Sequence, residues 1–447
     1  MKNDVRSALH EAYTEPIRDA LWGHIYLTKG LAALTESSPF MRLHRIMQLG
    51  PAYRVYPGAT HTRASHSLGV YHLARRLLIH LAEEGADEWL SPEGVKSFLC
   101  AALLHDLGHF PYTHSLKELP LTEHEVLTGN IISAAPVKDL VAAAGGDPYF
   151  TAAIVDAANK SPDGELLFYR KLLSGSLDPD KLDYLSRDAW YCGVPYGAQD
   201  VDFILSTLHP HSERGVDIDS RGVSGVESLL FSKYLMYRAV YWHRMVRSAT
   251  AMVKKALLWG LESNCIAGEE LYNLDDQGLF VLAAQRLRQF HGLMDSVRGG
   301  RLFVLAAEIP FDGNVHGALL DLVSRSRMEE RLAAELSSLT GKPMGGDALI
   351  IDLPEPISFE SGLLVSDEKS YLSGGGHCTA VQRTEGHWTE GSAFKSGLVD
   401  AFVSSLRIIR IFVDPRYEEE MKPYRDEILQ TTQKWIELYK GSKYGST

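Results

Sequence analysis

Apolar residues recur at intervals of three and four along most of the first 300 residues, which is the spacing of one face of an α-helix. The clearest runs predict helices at 66–84, 92–107, 123–134 and 225–263. Beyond residue 300 the apolar runs become short, rich in branched residues and bounded by Pro, Gly or Asp, which is typical of β-strands. The pattern predicts a mainly α protein, with an almost entirely helical core at 1–300 and a smaller α+β lobe at 301–447.

The C-terminal part combines strand-like and helix-like segments. Strands are predicted within residues 301–310, 347–356, 361–368, 377–383 and 406–415. Helices are predicted at 316–339 and 416–440. The glycine-rich segment 373–377 is interpreted as a loop or hairpin connection, because no GxxxxGK[ST] or GxGxxG frame for binding phosphate accompanies it.

Composition narrows the class of protein. A chain of 447 residues that is 45% hydrophobic can bury a large core. Because no run of about 18 apolar residues occurs and the N-terminal segment is polar, we expect a cytoplasmic protein without a membrane span or secretory signal. Its 4 cysteines lack metal-finger spacing, which favours reduced thiols. The net charge of -12 argues against a broad nucleic-acid surface but permits a local basic pocket for a small polyanion.

The segment LLHDLGHFPYTH, residues 103–114, gathers three histidines and an aspartate at the end of an apolar helix. Gly108 and Pro111 are residues that end helices. The sequence therefore predicts that His105 and Asp106 lie in the last helical turn, beside a cleft. A single histidine there would most simply be a hydrogen-bonded core residue, so the segment has to be considered with its partners elsewhere in the chain.

Two other segments supply such partners. His66 lies near the start of a predicted helix, and residues 176–190 contain several aspartates, among them Asp180. Two imidazoles and two carboxylates make a mixed nitrogen and oxygen donor set, suited to Mn, Mg, Fe, Zn or Co more than to a metal that prefers thiolates. The predicted ligands of this divalent metal are His66, His105, Asp106 and Asp180.

The order of these residues along the chain, H, then HD, then D, resembles that of the HD-domain metal-dependent phosphohydrolases. The surrounding sequence is similar to one group of them, the deoxynucleoside triphosphate triphosphohydrolases. The blocks that carry this likeness are residues 15–27, 39–70, 103–114, 121–125, 177–194 and 237–249. The resemblance implies an HD-domain helical core and hydrolysis of deoxynucleoside triphosphates (dNTPs) by water attack at the α-phosphorus, which releases deoxynucleoside and inorganic triphosphate.

The likeness also implies roles for individual residues. The four predicted ligands would bind the metal, and the residues at the reaction centre would be His109, His114, His124 and Glu125. His124 would protonate the leaving 5′-oxygen and Glu125 would orient it. The substrate would be bound by Arg63, Lys181, Tyr184, Asp188, Gln48, Leu49, Tyr241 and His243.

Sugar and base selection follow from the same likeness. Tyr184 would crowd the 2′ position while Asp188 and Gln48 take the 3′-hydroxyl, so a preference for deoxyribose is expected. Leu49 and Tyr241 would flank the base, although both residues could equally be packing residues of the core. Asp178 and Asp183 are more simply interpreted as helix caps or ion-pair partners than as ligands.

The chain departs from the family pattern at two places. Where family members have an aspartate after the HDLGH segment, this chain has Lys117, and the adjacent Glu118 could take the place of that aspartate. Where guanine-activated members read an allosteric nucleotide, it has Glu36, Met41 and His44. An activating nucleotide therefore stays open, and a homo-oligomer, either dimer or tetramer, is expected.

Two other functions remain open at this point. One is an HD-type phosphodiesterase or nuclease that acts on RNA, single-stranded DNA or a signalling nucleotide; the acidic composition and the sugar-reading residues argue against it. The other is a non-catalytic nucleotide sensor. The presence of all four predicted ligands argues against that alternative.

Overall fold

The structure, a computed structural model, describes residues 2–156, 164–287, 291–357, 364–372, 378–387, 389, 392 and 394–440. The described chain is mostly helical with a few small sheets, which confirms the predicted fold class. The elements of the first 200 residues are α1 (Lys2–His10), β1 (Glu15–Asp19), β2 (Gly23–Leu27), α2 (Lys29–Thr35), α3 (Ser38–Leu43), α4 (Arg63–Glu83), α5 (Pro92–Leu104), α6 (His124–Ile132), α7 (Val137–Ala143), α8 (Pro148–Val155), α9 (Gly164–Leu173) and α10 (Pro179–Cys192).

The second half continues with helices and the remaining strands. These elements are α11 (Val201–Ser206), β3 (Leu208–His211), β4 (Gly215–Ile218), α12 (Val223–Met236), α13 (Arg244–Glu262), α14 (Asp276–Arg286), α15 (His291–Gly299), β5 (Val304–Pro310), α16 (Gly313–His316), α17 (Leu322–Thr340), β6 (Leu349–Asp352), β7 (Leu364–Leu372), β8 (Cys378–His387), α18 (Ser396–Leu406), β9 (Ile408–Val413), α19 (Glu418–Met421) and α20 (Arg425–Lys440).

The strands form three small sheets. β1 and β2 make an antiparallel hairpin, β5, β9 and β6 make an antiparallel sheet, and the third sheet has the order β3, β4, β7, β8. The expectation of an almost entirely helical segment up to residue 300 is therefore wrong at β1 to β4. These strands have only four or five residues each, which is too short for a period of two to stand out in the sequence.

Two helix predictions also need correction. The helix predicted at 92–107 ends at Leu104, so His105 is its C-cap and Asp106 lies beyond it. The helix predicted at 225–263 is interrupted by a π-helical turn at Tyr237–Tyr241, and α13 begins after His243. Apolar periodicity continues through such a turn because only one residue is added to the helical repeat. The glycine-rich segment 373–377 lies outside the described residues.

Helices α4, α5 and α10 form the centre of the largest core, and α4 packs against both of the others. Local signals define their ends. Thr62 and Ser65 form a capping box at the start of α4, and Ser91 caps α5 just before a proline. Asp178 caps α10, whose C-terminal Gly193 takes a left-handed conformation (φ 67°). These caps place the first turns of α4 and α10 and the end of α5 close together.

A strand pairing and a shared core are among the contacts that join the segments on either side of residue 300. β4 pairs in parallel with β7 through Ile218 and Val365, and a second core combines residues of α13 to α15 with Phe303, Ile350 and Phe412. Division of the chain at residue 300 stays a prediction. Within the described residues, no single helix is both long and apolar enough to cross a bilayer, whereas α6 and α7 pass together as a bent pair by length and composition only.

Candidate active site

Three remote segments bring the predicted metal ligands together. Nε2 of His66 lies 3.0 Å from Oδ1 of Asp180, and Nε2 of His105 lies 3.2 Å from Oδ1 of Asp106. Nε2 of His105 also lies 3.9 Å from Oδ1 of Asp180. One potential ligand atom from each of His66, His105 and Asp106 lies within 4.8 Å of the others. His66, His105 and Asp106 thus form one group, and Asp180 lies beside it through its contacts with both histidines.

The hydrogen bonds of the two histidines suit metal binding. Nδ1 of His105 donates to the carbonyl oxygen of Ala102 at 3.0 Å, and its buried Nε2 has no hydrogen-bond partner among the described residues. Nδ1 of His66 lies 2.8 Å from Oδ2 of Asp183. Metal-binding histidines usually donate their second N–H to a carbonyl or carboxylate, which leaves a lone pair for the ion. The residues present therefore fit a divalent metal.

A buried chain of charges holds His66 in place. Nε of Arg187 donates to Asp183 at 2.8 Å, and its Nη1 donates to Asp19 at 2.8 Å. Asp183 also accepts from Nε1 of Trp22 at 2.5 Å. Asp19 and Trp22 lie at the turn between β1 and β2, so this hairpin supports the ligand His66 through two intermediate side chains. The interpretation of Asp183 as an ion-pair partner and not a ligand agrees with these contacts.

Helix α10 presents two functional faces. Asp180, Tyr184 and Asp188 recur at intervals of four and face the cavity described below, whereas Asp183 and Arg187 face α4 and the hairpin. The four-residue spacing therefore separates candidate ligands and substrate contacts from the groups that support them.

Gly69 of α4 is required by this arrangement. A Cβ atom at this position would lie 1.9 Å from Oδ1 of Asp183 and 2.4 Å from Nη2 of Arg187. We expect Gly69→Ala to displace the Asp183 carboxylate from His66 and to weaken divalent metal binding roughly 10- to 100-fold. Titration of the chelator-treated protein with Mn²⁺ measures this effect.

Gly164→Ala is the matched control for that prediction, because a Cβ at Gly164 meets nothing within 4 Å. Its metal affinity should equal that of the wild type. Equal affinities in all three proteins would contradict the proposed support of His66 by Asp183.

Burial lowers the pKa of His66, but its hydrogen bonds to Asp180 and Asp183 outweigh burial and raise the pKa to about 10. For Asp180, burial raises the pKa, and the hydrogen bond and charge of His66 bring it down to about 2. At neutral pH, and without a metal, the proton therefore resides on His66 and faces the Asp180 carboxylate. A divalent metal would replace that proton, since an imidazole ligand must be neutral.

A second cluster consists of three histidines beside Asp106. Nδ1 of His109 lies 3.1 Å from Oδ1 of Asp106, and its Nε2 lies 3.1 Å from Nε2 of His114. The ring of His124 lies 3.9 Å from that of His109, measured between centroids. Gly108 permits this approach because a Cβ there would lie 2.1 Å from the carbonyl oxygen of His124.

The buried Arg42 fixes the backbone of this segment. Its guanidinium donates to the carbonyl oxygens of Leu107, His109 and Leu274 at 2.5, 2.6 and 3.0 Å. Burial lowers the pKa of Arg42 to about 10, so it remains charged at neutral pH. The loop after α5 is therefore positioned by a cation from α3.

Both clusters open into one cavity of about 440 Å³. Most of the predicted site residues line it: Gln48, Leu49, Arg63, His66, His105, Asp106, His109, His114, His124, Asp180, Tyr184, Asp188 and Tyr241. The candidate metal ligands, the histidine cluster and the predicted sugar contacts thus share one cavity.

Comparison with known proteins agrees with this arrangement. Residues 63–187, which contain all four candidate ligands, match the family described as the HD domain. The chain contains an HD domain. HD domains are metal-dependent phosphohydrolases, so the expectation of a divalent metal is confirmed at the level of the family. Residues 200–372 match the family described as an HD associated region.

Curated relatives share about half of the chain. The uncharacterized protein YwfO of Bacillus subtilis is 38% identical over 225 residues, which is 50% of this chain and 50% of that protein. The human deoxynucleoside triphosphate triphosphohydrolase SAMHD1 is 26% identical over 282 residues, which is 56% of this chain and 45% of that protein. The chain thus spans about half the length of these relatives.

Solved structures resemble a larger part of the chain. A hypothetical protein from Aquifex aeolicus is 26% identical with a TM-score of 0.66, and the match covers 93% of this chain and 99% of that one. A phosphohydrolase from Bacteroides thetaiotaomicron is 22% identical with a TM-score of 0.67, and the match covers 89% and 99% of the two chains. At that identity the second likeness concerns the fold alone.

Three of the predicted site residues do not line the cavity. Nζ of Lys181 is held by Asp178 at 2.7 Å and by the carbonyl oxygen of Gly175 at 2.9 Å. His243 caps α13 and accepts from the backbone N–H of Met245. The structure therefore does not bring Lys181 or His243 to the substrate side of the cavity.

Glu125 is the third such residue. Its carboxylate lies outside the cavity wall, but Oε2 lies 3.1 Å from Nδ1 of His124. Burial, the largest cause, and the charge of His114 lower the pKa of His124 to about 2. His124 is thus neutral in the ligand-free protein, with Glu125 beside it.

The predicted sugar contacts have partners of their own. Asp188 is buried and binds His61 Nε2 and the hydroxyl of Tyr241, each at 2.7 Å. Oε1 of Gln48 is buried without a hydrogen-bond partner among the described residues. A sugar hydroxyl could satisfy this oxygen.

Sequence reasoning missed several residues of the cavity wall. Lys233, Tyr237, Arg247 and Glu355 all line it. Lys233, Tyr237 and Arg247 lie on α12, the π-helical turn and α13. The sequence of these three elements has the apolar pattern of an ordinary helix and does not mark the three residues as part of a site. Glu355 follows β6, more than 100 positions after Thr250, the preceding wall residue along the chain, and no local pattern marks it.

The three residues at the positions of the guanine-reading side chains lie at the surface. Glu36, Met41 and His44 are all exposed. None of them lines the cavity. Nucleotide activation stays a prediction.

Proposed function

We propose that this protein hydrolyses deoxynucleoside triphosphates to deoxynucleoside and inorganic triphosphate, using a divalent metal held by His66, His105, Asp106 and Asp180. The observation that carries the proposal is the shared cavity. It combines the candidate metal ligands and the histidine cluster with Tyr184, Asp188 and Gln48 at one site. The sequence likeness to the human triphosphohydrolase supports the choice of substrate.

The part of the cavity beside the histidine cluster is rich in hydrogen-bond donors. Arg63 is buried and donates to Asp106 at 2.9 Å, while its Nε has no partner among the described residues. His109 and His114 lie next to it. Such donors stabilise the charge on phosphoryl oxygens as the α-phosphorus is attacked. A divalent metal at its ligands would supply Lewis acidity and a more acidic water molecule.

His124 is suited to protonate the leaving 5′-oxygen. It is neutral in the ligand-free protein, and the negative charge of a bound triphosphate raises the pKa of a nearby imidazole. Glu125, 3.1 Å from Nδ1 of His124, would accept the N–H on that side and orient the ring. His124 could then carry a proton on Nε2 toward the leaving group.

The part of the cavity lined by Tyr184 and Tyr241 supports the expected preference for deoxyribose. The Tyr184 ring lies 6.4 Å from the Tyr241 ring, measured between centroids, and Tyr241 is anchored by Asp188. Both rings line the cavity, so a sugar bound against Tyr184 would place an additional 2′-hydroxyl against an aromatic wall. Gln48 and Asp188 offer oxygens to the 3′-hydroxyl.

Product analysis tests this function. The purified protein is incubated with each dNTP, each ribonucleoside triphosphate (NTP) and a labelled oligonucleotide, with Mg²⁺, Mn²⁺ or Co²⁺, and with or without a second nucleotide as activator. We expect inorganic triphosphate from dNTPs and little or none from NTPs. Release of pyrophosphate, or cleavage of the oligonucleotide alone, would contradict the proposal and favour a phosphodiesterase or nuclease.

A further inference from the structure

The turn that follows the HDLGH segment orients two adjacent, oppositely charged residues. Residues Thr113–Leu116 form a 3₁₀-helix, and Lys117 continues it with φ -57° and ψ -21°. Side chains three residues apart in such a helix lie one above the other. Lys117 therefore lies on the same face as His114, and both side chains line the cavity.

Glu118 points the other way. Its carboxylate pairs with Nζ of Lys254 and with Nη2 of Arg325, and both of these cations are buried. An ion-pair network that joins three elements fixes the end of the turn. Glu118 is therefore not available as an acid or base in the cavity, and its position directs Lys117 toward the cavity.

Lys117 differs from the two arginines of the cavity wall, Arg63 and Arg247. Arg63 donates to Asp106, and Arg247 donates to both oxygens of Asp352 at 2.8 and 2.6 Å. Lys117 is exposed to the cavity, and no hydrogen bond or ion pair joins it to another described residue. Its positive charge is thus available to a ligand.

The electrostatic surroundings of Lys117 locate it beside the reaction centre. Burial and the charge of His114 are the largest causes of the lowered pKa of His124, and the charge of Lys117 also contributes. Glu355, across the cavity, is near enough for Lys117 to lower its pKa, although burial raises that pKa overall. Lys117, the histidine cluster and Glu355 all line the same cavity.

We propose that Lys117 is an additional phosphate-binding residue, which recognises the phosphate chain of the substrate. This inference rests on the proposed function, and it names the part of the substrate that Lys117 recognises. A hydrogen bond from an ammonium group to a charged oxygen is about twice as strong as a hydrogen bond between neutral groups. The Lys117 ammonium group, which has no ion-pair partner among the described residues, therefore gains most from a ligand with several charged oxygens close together. A phosphate chain extending from the histidine cluster would supply these charges.

The experiment compares Lys117→Ala and Lys117→Arg with the wild type, all loaded with excess Mn²⁺. Calorimetry measures the dissociation constants of inorganic triphosphate and of deoxynucleoside, and steady-state kinetics measures KM for a dNTP. We expect Lys117→Ala to weaken inorganic triphosphate binding and to raise KM roughly tenfold or more, since the lost hydrogen bond involves a charged group. Deoxynucleoside binding should not change, and Lys117→Arg should retain most of the affinity for triphosphate.

Lys29→Ala is the matched control, because Lys29 is an exposed lysine at the start of α2 and does not line the cavity. It should behave as the wild type. Unchanged triphosphate binding in Lys117→Ala, or an equal weakening of triphosphate and deoxynucleoside, would overturn the inference. Release of inorganic triphosphate by the wild type tests the proposed function separately, because the binding measurement does not depend on which product forms.

Discussion

His105→Ala is expected to reduce dNTP hydrolysis roughly a thousandfold or more, because it removes a metal ligand and with it the Lewis acid at the α-phosphorus. The side chain is suitable for this test because the contact of Nδ1 with the carbonyl of Ala102 is its one hydrogen bond among the described residues. Asp106→Ala should lose activity as well, but it also leaves Arg63 buried without its carboxylate. His105→Ala thus separates the loss of metal from a loss of stability.

Three measurements check this result. Metal content by mass spectrometry should fall, activity should fall with it, and the melting temperature of chelator-treated protein should stay near that of the wild type. His24→Ala, at an exposed histidine of β2, is the control and should retain both metal and activity. Full metal content and full activity in His105→Ala would show that the ligands are assigned wrongly.

Arg187→Met is expected to lower the free energy of unfolding by about 3–5 kcal/mol, the typical cost of breaking a buried ion pair by removing one partner. Arg187 lies between the carboxylates of Asp19 and Asp183, and all three side chains are buried. Removing Arg187 leaves two buried carboxylates without the cation that they share. Urea denaturation of the chelator-treated proteins at pH 7 measures the loss.

The pH dependence of the same comparison identifies the cause. Burial raises the pKa of Asp183, but the charge of Arg187 and the hydrogen bonds from His66 and Arg187 outweigh burial and hold the pKa well below its usual range. A lowered folded-state pKa contributes stability that is present above the unfolded value of about 3.9 and is lost as the pH falls through the folded value. The difference between wild type and Arg187→Met should therefore be full at pH 7 and shrink below about pH 4. A constant difference would point to lost packing instead.

The same charges connect stability to chemistry. The hairpin turn that carries Asp19 and Trp22 contacts no candidate metal ligand directly, yet it holds Asp183, which in turn holds His66. We therefore expect Arg187→Met to bind metal more weakly than His24→Ala does. The segment EPIRDALWGHIYL, residues 15–27, is one of the blocks that resemble the triphosphohydrolases, and the sequence alone gave it no role. Support of His66 through Asp183 is a role for this segment.

The sequence by itself determined the local features, which depend on residues close together along the chain. Apolar periodicity and end signals located α4 and α5 within a few positions, because helices are stabilised by contacts between residues three and four apart. Donor chemistry and motif order then selected His66, His105, Asp106 and Asp180. Their approach to within a few ångströms agrees with that selection.

Only the tertiary structure decided where the remaining side chains point. Lys181 has the residue type of a phosphate-binding group but is held by Asp178, whereas Lys117, which appeared as a departure from the family pattern, faces the cavity. Asp19, Trp22 and Glu355 are joined to the site by contacts across 100 or more positions. The physical reason is that a local pattern defines backbone conformation, whereas the partner of a charged side chain is defined by which distant segments pack beside it.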